Sequence, residues 1–196
     1  MRALLATTLF ASACSVLQPH ADPTRYFVLT AADPPTPATP IAAPIALDQV
    51  KLPEYLARDE MVTRKASNQI DIQDYNRWGE PLKDGLVRTL RHDLEGQLGA
   101  ERVVTPPFEP HSAPSLLVDL EVRHFEFVAG EGARLDVHWT IRDKSGATIA
   151  QHDTKKTVPA SDQDVGNEVA ALSKAVAGLA TEISDAIRGT PLRAQR

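Results

Sequence analysis

The chain has 196 residues, 42% of them hydrophobic, and a formal net charge of −5, a composition that fits one soluble globular domain with extensions. It contains no block of five or six lysines and arginines, so neither nucleic acid nor an anionic lipid surface is indicated as its main partner. A single cysteine excludes an intramolecular disulfide and leaves one thiol to be explained.

Residues 1–13 predict a signal peptide. Arg2 supplies a basic start, and an apolar stretch follows from Ala3 to Ala13. This stretch is too short for a bilayer span, which takes roughly 20 residues, but it fits a signal-peptide core. No later segment approaches a membrane span, so only the N-terminus is predicted to hold the chain to a membrane.

The single cysteine, Cys14, follows directly in the run Ala11-Ser12-Ala13-Cys14. Small residues before a cysteine are typical of a lipobox, in which the thiol receives diacylglycerol as a thioether. Ala11 stands where leucine is usual, and the same run also fits an A-x-A site for ordinary secretion. We favour lipidation of Cys14, because a lone cysteine at this place is otherwise unexplained. Ser15 after it favours the outer membrane over the inner one.

Residues 14–44 are predicted to form a lipidated N-terminus and a linker. A β-prone run, Arg25-Tyr26-Phe27-Val28-Leu29, comes first. Residues 31–44 then carry five prolines, which remove backbone donors and bias the chain to an extended conformation. A spacer is the favoured interpretation, and a proline-motif ligand for a partner is the alternative.

Residues 45–190 predict a single α+β domain: an antiparallel β-sheet with two long amphipathic helices packed on one face. Pro81 opens the first helix and Gly99 ends it, while the second begins after residues 161–164 and ends at Gly189. Strands are predicted at residues 45–52, 61–65, 69–75, 102–105, 116–128, 134–142 and 148–158.

Alternation along the last three strands predicts a sheet with one solvated face. The apolar phase slips from even to odd positions between Val122 and Phe125, which predicts a β-bulge near Arg123. Four acidic residues are interpreted as part of the solvated face rather than as a catalytic carboxylate pair: Asp119, Glu121, Glu126 and Asp136.

Three histidines suggest the main alternative chemistry. If the turns centre near residues 131 and 145, His124, His138 and His152 lie in a row across adjacent strands and could bind Zn²⁺ or Cu²⁺. A flat face does not bring ligands together around a metal, and the bulge would turn His124 away. The favoured interpretation is therefore three solvated side chains and no metal site.

No phosphate loop, nucleophile elbow, zinc-protease motif or C-x-x-C pair occurs in the sequence. We therefore expect no enzymatic activity, no catalytic residues and no cofactor. Trp78, directly before the first helix, is interpreted as an anchor at the edge of the core, with partner contact as the alternative.

The order of these features resembles the PqiC-like auxiliary lipoproteins of MCE/MlaD-type ABC transport systems. The resemblance covers nearly the whole chain, and its most specific pieces are Leu52-Pro53-x-Tyr55-Leu56 and Trp78-x-x-Pro81-Leu82. It implies a lipid-anchored outer-membrane protein facing the periplasm, working as a homo-oligomer with an MCE-domain protein in transport of lipids or hydrophobic compounds and in membrane integrity. Tyr55 and Trp78 are the candidate partner contacts.

Two other functions stay open from the sequence alone. One is a periplasmic metal-binding protein that uses the three histidines. The other is an outer-membrane assembly lipoprotein for another machine, which the genes neighbouring this one would distinguish from a transport role.

Overall fold

The computed structural model describes residues 21–32, 40–104, 108, 113–160 and 164–190. The predicted signal peptide, Cys14 and the centre of the proline-rich linker lie outside these residues. Two helices are described, α1 (Leu82–Leu98) and α2 (Val165–Gly189). The strands are β1 (Arg25–Phe27), β2 (Ile45–Lys51), β3 (Glu60–Ala66), β4 (Gln69–Trp78), β5 (Val103–Val104), β6 (Leu116–Val128), β7 (Gly132–Asp143) and β8 (Thr148–Val158).

The eight described strands form one mixed sheet, which corrects the prediction of an antiparallel one. β3–β4 and β6–β7–β8 are antiparallel, but β1 pairs with β4, β2 with β5, and β6 with both β2 and β3 in parallel. Strand β6 is the centre: β7 covers one side along its whole length, while β2 and β3 share the other side. Alternation along a strand predicts which residues face the core. It does not predict whether a strand distant in sequence pairs in the parallel or the antiparallel direction.

The local features of the sheet agree with the sequence. The β3–β4 hairpin turns at residues 67 and 68, between the strands predicted at residues 61–65 and 69–75. The register of β6 against β7 shifts between Val122 and His124, which confirms the bulge at Arg123. Val122 and Phe125 on either side of this bulge are both at most 3% exposed, so the extra residue keeps both halves of β6 facing the core.

The two helices and the sheet enclose a single core. Five leucines of α1, spaced by four, are at most 4% exposed: Leu82, Leu86, Leu90, Leu94 and Leu98. They share this core with the apolar side chains of α2 and β7, and each fully buried leucine stabilises the fold by roughly 1.5–3 kcal/mol. The buried side of the helices also holds the polar Asp93 and Glu168, so the amphipathic character stays a prediction.

The ends of the helices have local causes. Pro81 precedes α1 as its N-cap, so the helix begins one residue later than predicted, and Gly99 follows it at a positive φ of 106°. The Asp164 side chain accepts a hydrogen bond from the Gly166 N–H and so caps α2. Neither described helix is long and apolar enough to cross a membrane.

The folded core includes residues that precede the predicted domain start at residue 45. Leu29 is 2% exposed and Ile41 is 7% exposed, and both belong to the core. The Ile41 N–H donates to the Leu98 carbonyl at 3.0 Å, and the Ala32 N–H donates to the Asp93 carboxylate at 2.8 Å. Both flanks of the proline-rich segment are thus attached to α1.

Candidate partner-binding cleft

A cleft of about 590 Å³ lies between the two sequence stretches that carry the family resemblance. The end of β2 and the loop after it form one wall, the residues following the Pro53 turn form a second, and the start of α1 forms a third. The lining residues are Val50, Lys51, Leu52, Ala57, Arg58, Asp59, Pro81, Leu82 and Lys83. Two segments about 25 positions apart in sequence therefore build one surface.

A single 3₁₀ turn, Glu54–Leu56, shapes the second wall. Pro53 fixes the chain direction before the turn, and its carbonyl accepts the Leu56 N–H at 3.0 Å. The Leu56 side chain is 2% exposed and enters the core. Because Leu56 is anchored, the following Ala57, Arg58 and Asp59 are directed along the cleft.

Tyr55 holds this turn from its other side. Its hydroxyl donates to Glu126 Oε2 at 2.6 Å, and the Arg64 guanidinium lies 5.8 Å from the centre of its ring. Arg64 Nε and His124 Nδ1 contact the second carboxylate oxygen, Oε1, at 2.5 and 3.0 Å. The turn, strand β3 and the bulged region of β6 therefore meet at one carboxylate. We call Tyr55, Arg64, His124 and Glu126 the Glu126 cluster.

Burial and hydrogen bonding set the ionisation of this cluster. Burial and the neighbouring Glu126 carboxylate raise the pKa of Tyr55 to about 12, so Tyr55 stays a hydrogen-bond donor at neutral pH. Burial alone would raise the pKa of Glu126, but hydrogen bonds from Tyr55, Arg64 and His124 outweigh it and hold that pKa below its usual value. A charged, fully bonded carboxylate is therefore part of the folded structure.

Two of the four acidic residues predicted to be solvated are in fact buried. Glu126 is 1% exposed and Asp136 is 5% exposed. Asp136 lies 3.7 Å from both Arg123 Nη1 and Lys155 Nζ. The alternation placed both residues on the face of the sheet that points away from the helices. There, Tyr55, Arg64 and His124 cover Glu126, while Arg123 and Lys155 flank Asp136. Tyr55 comes from a distant segment, which is why periodicity within β6 could not reveal its contact.

The predicted row of histidines does not form. His138 lies opposite Glu121 and Asp153, and His124 lies opposite Asp136. His152 lies opposite Trp139 and stacks on its ring with centroids 4.9 Å apart. The bulge at Arg123 and the register of β8 cause the difference. Among the described residues no group of three histidine, cysteine or acidic side chains could hold a metal ion.

Trp78 holds one wall of the cleft in position. It is 8% exposed, lies in the core and donates its backbone N–H to the Asp59 carbonyl at 2.7 Å. It therefore fixes the position of Asp59, which lines the cleft, and leads through Gly79 to Pro81. Direct contact between Trp78 and a partner stays a prediction, as does such contact by the half-buried Tyr55.

The cleft combines an apolar floor with a mainly cationic rim. Lys51, Arg58 and Lys83 contribute three positive charges against the single carboxylate of Asp59. The Nε atom of Arg58 is buried without a hydrogen-bond partner among the described residues. The N-terminal end of α1 adds the positive end of a 17-residue helix. The rim is therefore mainly cationic, although Asp84 adds an acidic side chain to the first turn of α1.

This arrangement defines an α+β module with an open cleft beside its core. The chain matches the family described as "ABC-type transport auxiliary lipoprotein component" over residues 27–184. It belongs to that family, and the match covers β2 to β8, all of α1 and α2 as far as Ser184. No curated protein matches the chain.

Two solved structures have a similar fold. A crystal structure titled "uncharacterized protein" is 20% identical, covers 84% of this chain and 98% of its own, and has a TM-score of 0.70. Protein XCC0632 from Xanthomonas campestris is 17% identical, covers 84% of this chain and 99% of its own, and has a TM-score of 0.68. At these identities the likeness is one of fold.

Proposed function

We propose that this protein is a non-enzymatic docking subunit of an MCE-type ABC transport system for lipids or hydrophobic compounds. Lipid on Cys14 would anchor it to the outer membrane with the domain in the periplasm, where it would support membrane integrity. The observation that carries the proposal is the family match over residues 27–184. This match includes all the residues that line the cleft, so the cleft lies within the part of the chain that carries the family description.

The cleft is the surface that we assign to the partner. Leu52, Pro81 and Leu82 of the two family stretches line it, and the Glu126 cluster and Trp78 hold its walls in place. A preorganised surface loses little conformational freedom on binding. Its apolar floor and cationic rim fit a partner segment that presents an apolar side chain next to an acidic one.

A binding role also agrees with the chemistry of the buried polar groups. Glu126 has its donors supplied by Tyr55, Arg64 and His124. Its pKa is lowered, whereas a general acid at neutral pH needs a raised one. The cluster therefore fits a structural role better than catalysis.

Co-purification tests the proposal. The lipidated full-length protein should be extracted from its native envelope and should recover the MCE-domain protein of the same transport system. Recovery should fall about tenfold or more for Lys83→Glu, because the substitution reverses a rim charge, and one lost close charge pair is worth roughly 1.5 kcal/mol or more.

Lys174→Glu is the matched control, since Lys174 is an exposed lysine on α2 that does not line the cleft. It should leave recovery unchanged. Absence of an MCE-domain protein with the unaltered chain would overturn the transport proposal. Equal recovery with both variants would overturn only the assignment of the cleft. Sizing of the purified protein would test the homo-oligomer that the resemblance implies.

A further inference from the structure

Three exposed apolar side chains lie together at the β1 end of the sheet. Tyr26 is 67% exposed, Tyr75 is 56% exposed and Val28 is 48% exposed. These three residues, called here the tyrosine edge, include the most exposed large hydrophobic side chains of the described chain. Exposed apolar groups that cluster rather than scatter indicate a contact surface.

The pairing of β1 with β4 places the three side chains on one side of the strands. Tyr26 lies opposite Arg77, and Tyr75 precedes Arg77 by two positions, so both tyrosines project to the same face. A Cβ atom built on Gly79 would lie 4.0 Å from Tyr26 Cβ and 3.1 Å from Val28 Cγ1. Tyr26 and Val28 thus flank Gly79 together.

The outer side of β1 has no strand partner in the described part of the chain. β1 stands at one end of the strand order, with β4 on its inner side. The tyrosine edge is therefore carried by the terminal strand of the sheet and its neighbour. This edge is separate from the cleft, which the end of β2, the Pro53 turn and the start of α1 line.

The length of chain before β1 indicates what lies in that region. Arg25 comes eleven positions after Cys14, and a fully extended chain spans at most about 3.3–3.6 Å per residue. The start of β1 therefore lies within roughly 40 Å of the anchored sulfur, and no other described strand follows the anchor as closely. The tyrosine edge is the part of the folded domain with the shortest tether to the membrane.

The composition of the edge fits the bilayer interface. A tyrosine ring carries an apolar body and a polar hydroxyl, and tyrosine is enriched where lipid headgroups meet water. The nearby cations already have partners: Arg25 Nε donates to Asn76 at 3.1 Å, and Arg77 pairs with Glu60 at 3.4 Å. The contact would therefore depend on the tyrosines and Val28 more than on anionic lipid.

We propose that the tyrosine edge rests on the periplasmic surface of the same outer membrane that holds the lipid on Cys14, with both tyrosines at headgroup depth. This inference rests on the lipid anchorage in the proposed function. Two points of attachment, acyl chains and tyrosine edge, would fix the orientation of the domain relative to the bilayer.

Fluorescence quenching tests this orientation. The lipidated full-length protein would be reconstituted in phosphatidylcholine vesicles with and without bromine on the acyl chains, and a tryptophan would be placed by Tyr26→Trp. The matched control is Ile149→Trp, at a 41% exposed position on β8, the strand at the opposite end of the sheet. Both variants share the background of buried Trp78 and Trp139, which are 8% and 2% exposed.

The emission added by Tyr26→Trp should be blue-shifted and roughly halved by brominated lipid, since interfacial groups enter only about 5–10 Å into the headgroup region. The emission added by Ile149→Trp should not change. Equal quenching of both variants, or none for Tyr26→Trp, overturns the inference. A blue shift that depends on protein concentration and not on bromine would assign the edge to a second copy, which also overturns it.

Membrane fractionation of the same samples separates this inference from the proposed function. If the unaltered protein does not partition to membranes, the anchorage itself is wrong. If it partitions and Cys14→Ala releases it, while Tyr26→Trp stays unquenched, only the tyrosine-edge inference fails.

Discussion

The hydroxyl of Tyr55 donates a 2.6 Å hydrogen bond to Oε2 of Glu126, a carboxylate whose side chain has no exposed surface. The bond joins the turn after Pro53 to the bulged part of β6, 71 positions later. Because Arg58 and Asp59 follow that turn directly, this contact positions one wall of the cleft. The stability of the Glu126 cluster and the shape of the cleft are therefore linked.

Tyr55→Phe should lower the free energy of unfolding by about 1.5–3 kcal/mol, the range for a hydrogen bond to a charged group. The substitution removes one donor from a buried carboxylate and leaves the ring in place. Urea denaturation followed by circular dichroism measures the change. Tyr75→Phe is the control, since Tyr75 is 56% exposed, and it should alter stability by less than about 0.5 kcal/mol. Equal effects would contradict the role of Tyr55.

The ionisation of Glu126 predicts a specific acid sensitivity. Its folded-state pKa lies below the ordinary value for glutamate, roughly 4.3. A carboxyl with a depressed pKa stabilises the fold fully above its unfolded pKa, and the contribution is lost as pH falls through the folded one. The stability advantage of the unaltered protein over Glu126→Gln should therefore be constant near neutral pH and shrink below about pH 4.3.

Urea midpoints measured from pH 7 to pH 3 check this dependence. Glu121→Gln is the matched control, because Glu121 is an exposed glutamate on the same strand. Its difference from the unaltered protein should stay small over the whole range. A difference for Glu126→Gln that does not change with pH would show that Glu126 acts through packing and not through its charge.

The pH dependence of stability that arises from Asp93 should be opposite to that from Glu126. Burial raises its pKa, although the Ala32 N–H and His92 act against burial, and its Oδ2 has no hydrogen-bond partner among the described residues. A carboxyl with a raised pKa stabilises the fold in its neutral form, and that stability is lost as pH rises through the folded pKa. Asp93→Asn keeps an acceptor for Ala32 and removes a buried charge.

Asp93→Asn should therefore raise the melting temperature at pH 7, and the gain should disappear below about pH 3.9, the ordinary aspartate value. Thermal unfolding at pH 7 and pH 3.5 measures both. Asp185→Asn, at an exposed position of α2, should change neither. A lower melting temperature for Asp93→Asn at pH 7 would mean that the hydrogen bond to Ala32 needs the charged form.

Sequence patterns predicted those structural features that are determined by residues close together in the chain. The slip of apolar phase near Arg123 located the bulge, because each half of β6 must face the same core. The patterns did not predict that β2 and β3 lie parallel to β6, or that Tyr55 reaches Glu126. Both arise from packing between segments far apart in sequence, and periodicity within one strand carries no information about a partner strand or side chain.

The cleft also combines local features, which the sequence predicts, with a contact between distant segments, which it does not. Pro53 and Pro81 mark the turn and the helix start that form its walls, and both effects are local. That these walls meet follows from the backbone bond between Trp78 and Asp59. A proline pattern predicts where a chain turns. Only the folded structure shows that the two walls lie side by side. The family resemblance singled out both stretches without showing that they adjoin.

Two glycines in the β6–β7 turn give a paired test of the packing around β8. Gly130 and Gly132 both have positive φ, 79° and 114°. A Cβ at Gly130 would meet no atom within 4 Å, whereas a Cβ at Gly132 would lie 2.3 Å from the Val158 carbonyl oxygen and 2.9 Å from Pro159 Cα. Only Gly132 therefore lets the end of β8 pass close to the start of β7.

Gly130→Ala should cost about 1–2 kcal/mol, the price of a left-handed conformation for a residue with a side chain. Gly132→Ala should cost about 3 kcal/mol or more, because the same conformational strain is joined by a clash with backbone that cannot rotate away. Urea denaturation of both variants measures the difference. Hydrogen exchange should also show faster exchange of the β8 amides in Gly132→Ala alone. Equal costs for the two variants would mean that β8 moves aside at little expense, and that its contact with β7 is weaker than the geometry indicates.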